Sequence, residues 1–107
     1  MSSMHGILGQ AAPNGAVLST LYTGPSNRHA TVRMIVCNRG DIDMFRIAVS
    51  PGGAAIESKH YLAYDMVIGA NDSLSSSAFT VKQSDVVRVR STNGDLSFTL
   101  TGIEEDG

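Results

Sequence analysis

The groups in this chain that could do chemistry are few and scattered. Three histidines occur, His5, His29 and His60. None has a second His or a Cys at the short spacing that brings two ligands onto one metal ion. Asp41 and Asp43 bracket Ile42. Asp-x-Asp can open a calcium loop, yet Ca²⁺ takes six or more oxygens and nothing downstream resembles the rest of an EF-hand. Both carboxylates therefore read as solvated loop groups. Cys37 is the one cysteine, so no intrachain disulfide can form. It ends the run Met34-Ile35-Val36-Cys37 with no neighbouring base, and reads as a small buried apolar side chain.

The densest polar and aromatic cluster is Lys59-His60-Tyr61-Leu62-Ala63-Tyr64-Asp65. Strand alternation places Tyr61 and Asp65 on one face, His60 and Tyr64 on the other. His60 and Tyr64 are thus the candidate contacts for a small ligand such as a sugar. The plainer reading, which the absence of Trp favours, is a strand whose tyrosines bury their rings and tether their hydroxyls. No Gly-x-Ser-x-Gly elbow occurs, and Gly52-Gly53 lacks the Lys and helix of a phosphate loop. The expectation is a protein with no catalytic residue, no metal and no cofactor, hence not an enzyme.

The elements that must position these groups are strands. At 107 residues the chain fits one domain, and 42% hydrophobic with 17% charged residues allows a core but not a disordered chain. A net charge of −2 lacks the basic excess of a nucleic-acid binder, although Arg28, Arg33, Arg39 and Arg46 fall in one stretch. No run reaches the length of a membrane span. No Lys or Arg precedes Arg28, and Gly6, Gly9, Pro13 and Gly15 break up the first fifteen residues, which argues against an export signal. Residues 1–15 read as an irregular arm, dispensable for folding, and residues 16–107 as the domain.

Within the domain, period-two patterns recur between turn residues. Ala16 to Tyr22 reads as a strand anchored by Val17, Leu18 and Leu21. Ala30 to Asn38 is the central strand. Its Ala30, Val32, Met34 and Val36 share one face, while Ile35 and Cys37 call for cover on the other. Met44 to Ser50, Tyr61 to Ile68 and Phe79 to Val81 follow. Asn93-Gly94 predicts a two-residue hairpin turn between the segments Asp85 to Ser91 and Asp95 to Leu100. That register sets Val89 opposite Phe98, Val87 opposite Leu100 and Ser91 opposite Leu96, with Arg88 and Arg90 on the other face. About seven or eight short strands with tight turns imply an all-β, antiparallel β-sandwich, jelly-roll-like or a flattened barrel.

Several segments in order also carry a resemblance. These are Leu21-Tyr22-Thr23-Gly24-Pro25, Ala30-Thr31-Val32, Val36-Cys37-Asn38-Arg39 and Phe45-Arg46-Ile47-Ala48-Val49. Lys59 to Asp65, Asn71-Asp72 and Ser84-Asp85-Val86-Val87-Arg88-Val89 continue the series. From Leu18 to Gly102 the order resembles small β-sandwich virion proteins of tailed bacteriophages. Gly24 departs from the Ala or Val common there, and Ser26-Asn27-Arg28 replaces a more Gly-rich turn.

The resemblance implies a non-enzymatic virion subunit, assembled in the host cytoplasm and present in many copies. Its expected role is capsid decoration (a cement protein) as a symmetric homo-oligomer, a trimer, bound to the major capsid protein or another virion protein. A tail, baseplate or fibre-associated subunit, with a carbohydrate-binding role through His60, Tyr64 and Asp43, is the alternative. Expected interface side chains are Met4, Ile7, Leu8, Met44 and Met66, with the arm able to add a strand to a neighbour's sheet edge. No contact with nucleic acid or membrane is expected.

Overall fold

The computed structural model describes residues 3–106, with side chains from Gly6 onward. It is an antiparallel β-sandwich of nine strands with no α-helix among the described residues. The strands are β1 (Ser3–Ala11), β2 (Ser19–Thr23), β3 (Arg28–Asn38), β4 (Asp43–Ser50) and β5 (Tyr61–Ile68). They continue as β6 (Ser73–Ser75), β7 (Phe79–Val81), β8 (Val86–Ser91) and β9 (Leu96–Asp106). The first sheet runs β1-β9-β3-β6, with β7 also on β3; the second runs β2-β8-β4-β5. β6 and β7 are one interrupted strand. At the gap, Ser76 keeps the β3 edge satisfied: its amide donates to the Met34 carbonyl (2.8 Å) and its Oγ accepts from the Met34 amide (2.9 Å). Counted so, the order is that of an eight-stranded jelly roll.

Alternation along each strand builds the core. Val32, Met34 and Val36 of β3 and Leu96, Phe98 and Leu100 of β9 face Phe45 and Ile47 of β4 and Val87 and Val89 of β8, all buried. Phe45 and Phe98 meet edge to face across the two sheets, centroids 6.3 Å apart, the arrangement aromatic quadrupoles favour. Ile35 and Cys37 lie on the opposite side of β3 and are exposed. The expected burial of Cys37 fails by parity: Val36 and Asn38 take the inward positions.

Two further expectations are overturned. β8 and β9 do not form a hairpin. β8 pairs with β2 and β4, whereas β9 pairs with β1 and β3. Gly94 takes a positive φ of 86°, but Asn93 does not, so the type I′ turn is absent. The inward residues are those expected, yet they face one another across the sandwich instead of lying side by side in one sheet. Alternation records which side chains are buried, and an arch between sheets satisfies it as well as a hairpin does.

The expected irregular arm is also a strand over most of its length. β1 pairs with β9 from Ser3↔Glu105 to Ala11↔Phe98, with an irregularity between Ile7 and Gly9. Leu8, the residue left out of that register, packs on the core. Gly9 has a steric purpose, since a Cβ there would lie 2.7 Å from the Leu21 carbonyl oxygen of β2. After β1 the chain turns at Ala16 (φ 62°) and its amide binds the Ser91 carbonyl, 2.8 Å. Val17 and Leu18 are left exposed, and only Leu21 of the three expected anchors packs inward. Gly24 is required where it stands, because any Cβ would overlap the Lys82 carbonyl.

Deleting residues 1–15 therefore removes a paired strand and uncovers β9. The truncated chain should melt well below the full chain by circular dichroism; an unchanged midpoint would show that β1 adds no stability. Phe98→Ala should cost about 3–5 kcal/mol, read from denaturant midpoints, because it leaves a cavity where the fully buried ring meets Phe45.

Candidate interaction surface

Two buried polar residues organise one end of the sandwich. Asn38 closes β3, and its Nδ2 donates to the carbonyls of Asp41 (2.7 Å), Gly69 (3.0 Å) and Ile68 (3.2 Å). Its Oδ1 accepts from the Gly40 amide at 2.9 Å. One side chain thus ties the β3–β4 loop to the β5–β6 loop. Asp43 opens β4 and is buried, not solvated as expected. Its carboxylate accepts from Ser91 Oγ (2.7 Å), the Asn93 amide (3.0 Å) and the Met44 amide (2.7 Å). Ser91 Oγ in turn accepts from the Gly94 amide at 2.8 Å. This network holds the β8–β9 arch. Burial pushes the Asp43 carboxyl up, but the Ser91, Asn93 and Met44 hydrogen bonds outweigh it and hold it below the ordinary 3.8.

The outer side of the second sheet carries the other organised group. β5 shifts register against β4 between Phe45 and Ile47, and Asp65 there takes a φ of 51°. Such a bulge re-aims side chains. Here it breaks the alternation that would have parted Tyr64 from Tyr61 and Asp65. Asp65 accepts from Arg46 Nε at 2.6 Å and from Arg46 Nη2 at 3.2 Å. The same guanidinium lies 4.0 Å from the Tyr64 ring centre, and Tyr64 meets Tyr61 edge-on at 4.9 Å. The Arg46 hydrogen bond and charge lower the Asp65 pKa against the opposing effect of burial. Sequence spacing placed Asp65 in the polar cluster but did not join it to Arg46, and gave Asn38 no role. A positive-φ Asp inside a strand leaves no composition signal.

The expected ligand pair is not assembled. His60 is buried, its Nδ1 accepting from the Glu57 amide at 3.0 Å, while Tyr64 is 58% exposed. Tyr64 shares its shallow pocket with Tyr61, Glu57 and Ser58 instead. Asp43, the third proposed sugar contact, has its carboxylate engaged inside the fold.

The expected interface residues divide. Ile7 is 62% exposed on β1, whereas Leu8 packs inward. Met4 pairs with Glu104 through the backbone, and its side chain lies outside the described ones. Met44 points outward beside Val67, its β4–β5 register partner. Met66 stands with Leu62 at the mouth of an apolar groove of about 450 Å³ between β5 and the β6–β7 segment, floored by Phe45 and Ile47. The four arginines close in sequence are dispersed: Arg28 pairs with Glu104 and Asp106, Arg33 is exposed on the first sheet, and Arg46 lies on the second. Arg39 donates to the Gly94 and Leu96 carbonyls. Among the described residues no helix is long and apolar enough to cross a membrane.

No protein-family model matches the chain, and no curated protein matches it either. Among solved structures, it is similar to a chain in the acidic stable capsid structure of Helicobacter pylori bacteriophage KHP30. The TM-score is 0.50 at 14% identity, over 96% of this chain and 90% of that one. The likeness is one of fold.

Asp43→Ala should destabilise the protein by about 1.5–3 kcal/mol near neutral pH, the scale of hydrogen bonds to a buried charge. A carboxyl held low in the fold stabilises above its unfolded pKa of about 3.9, and that contribution is lost as pH falls through the folded value. Denaturant melts of both proteins should therefore converge below about pH 4. A gap that persists undiminished into that acid range would contradict this role for the charge.

Proposed function

We propose that the chain is a non-enzymatic structural subunit of a tailed-phage virion. In this reading it decorates the capsid surface as a symmetric homo-oligomer, a trimer, and binds the major capsid protein. The observation that carries the reading is the extent of the shared fold. The match takes in 96% of this chain and 90% of a chain in a phage capsid structure, at a TM-score of 0.50. Jelly rolls recur in viral shells, and fold alone does not assign a role. The surface adds support. Ile7, Met44, Leu62, Tyr64, Met66 and Val67 are exposed apolar or aromatic side chains, of the kind that interfaces cover.

The alternative is a tail, baseplate or fibre-associated subunit that binds carbohydrate. One observation favours it: the exposed Tyr64–Tyr61 pair beside Glu57 and Ser58 offers a ring face next to polar groups.

Quantitative mass spectrometry of purified particles separates these readings. Decoration requires a fixed ratio of this chain to the major capsid protein, and gold-labelled antibody on the head. Label confined to the tail, with glycan binding that Tyr64→Ala abolishes, would establish the alternative. Absence of the chain from particles would overturn both.

A further inference from the structure

The outward side of β4 and β8 holds an electrostatic imbalance. Arg46 and Arg90 stand opposite each other on adjacent antiparallel strands, and Arg88 lies on the same side of β8 as Arg90. Like charges placed across from each other cost a sheet stability. Asp65 answers Arg46. Arg88 donates to Ser50 Oγ and the Ala54 carbonyl, and Arg90 to Thr92 Oγ1, all neutral acceptors. Beside this surplus, Met44 and Val67 are 38% and 55% exposed. Arginine and tyrosine with apolar neighbours are what the centres of protein interfaces favour. The bulge at Asp65 also presets Arg46, which lowers the ordering cost of binding.

The opposite charge lies at the loop end. Asp41, Asp72 and Asp95 sit on three loops gathered there: the Asn38 amide binds the Asp72 carbonyl (2.8 Å) and the Arg39 amide the Asp95 carbonyl (2.9 Å). Among the described residues no cation pairs with these carboxylates, since Arg39 spends its guanidinium on carbonyls. Ile42, 62% exposed, stands among them. One face thus offers three arginines and exposed apolar side chains, with two carboxylates, Asp65 on Arg46 and Glu57 beside Tyr64 at its margin. The loop end offers three carboxylates, one arginine and an exposed isoleucine, on loops held rigid by Asn38 and Asp43.

We propose that the acidic loop end of one copy seats on the arginine face of the next, a head-to-tail contact that closes into a ring. A heterologous contact of this kind generates rings when the rotation closes. The inference rests on reading the chain as a repeated subunit, and names which of its surfaces meet.

Analytical ultracentrifugation of the full chain tests it. The wild-type protein should assemble with rising concentration, and less so at high salt, because salt screens the attraction between the opposite charges that meet. Arg90→Glu sets an acid opposite Arg46, so its melting temperature should hold or rise while its assembly weakens by about tenfold or more. Asp41→Arg should weaken assembly equally from the other end. Mixing the two variants restores one native contact, the loop end of the first on the face of the second, and should yield a heterodimer.

A wild-type chain that stays monomeric, or an Arg90→Glu chain that assembles normally, overturns the contact. So does a mixture that fails to pair after each variant has lost assembly. A monomer that binds duplex DNA would give the face to nucleic acid and also overturn it. Particle composition is read separately: a solution monomer found at high copy on particles defeats the contact and leaves the structural role standing. A chain that forms rings but is absent from particles does the reverse.

Discussion

The buried Asp43 carboxylate is the constraint on which the rest of this architecture depends. A jelly roll sends the chain back and forth between sheets, and each crossing leaves backbone amides that no strand neighbour can satisfy. At the last crossing, Asp43 supplies the missing acceptor for Asn93 and, through Ser91, positions the oxygen that receives the Gly94 amide. The charge is tolerable inside because its oxygens are fully engaged. Once the arch is fixed, β9 is delivered to the first sheet in the register that buries Leu96, Phe98 and Leu100. Asn38 does the corresponding work for the neighbouring loops.

Much of the fold was legible in the sequence, and the misses share a cause. The inward residues of β3, β4, β8 and β9 were readable because period-two alternation is a direct record of burial. Partner choice was not, because Val87, Val89, Phe98 and Leu100 are equally buried whether their strands lie side by side or face to face. Asn-Gly is a strong local signal, but here the network around Asp43 overrides it. β1 was hidden by its glycines, one of which exists to let two sheets approach closely. The candidate surface was less legible still. Tyr64 was identified and Arg46 was not, since their meeting depends on a bulge with no residue signature.

The surfaces left by this folding are chemically distinct. One side of the sandwich is an arginine and tyrosine face, one end is a rigid acidic tip, and one flank opens into an apolar groove. Each presents exposed side chains of a different chemistry, arginine with tyrosine, carboxylate, and aliphatic. The same bulge that strains Asp65 fixes Arg46 and Tyr64 relative to each other, so local backbone cost is exchanged for a defined surface.

The strand order has a kinetic corollary. β1 has β9 as its one sheet neighbour among the described residues, so the first strand of the sandwich to be synthesised must wait for the ninth before it can dock. Only β4 and β5 can zip as successive strands; every other pairing closes a long loop first. Topologies of that kind fold slowly, and until β9 arrives the waiting β1 and β3 present open edges to neighbouring chains. Rapid, crowded synthesis of such a chain would favour chaperone assistance.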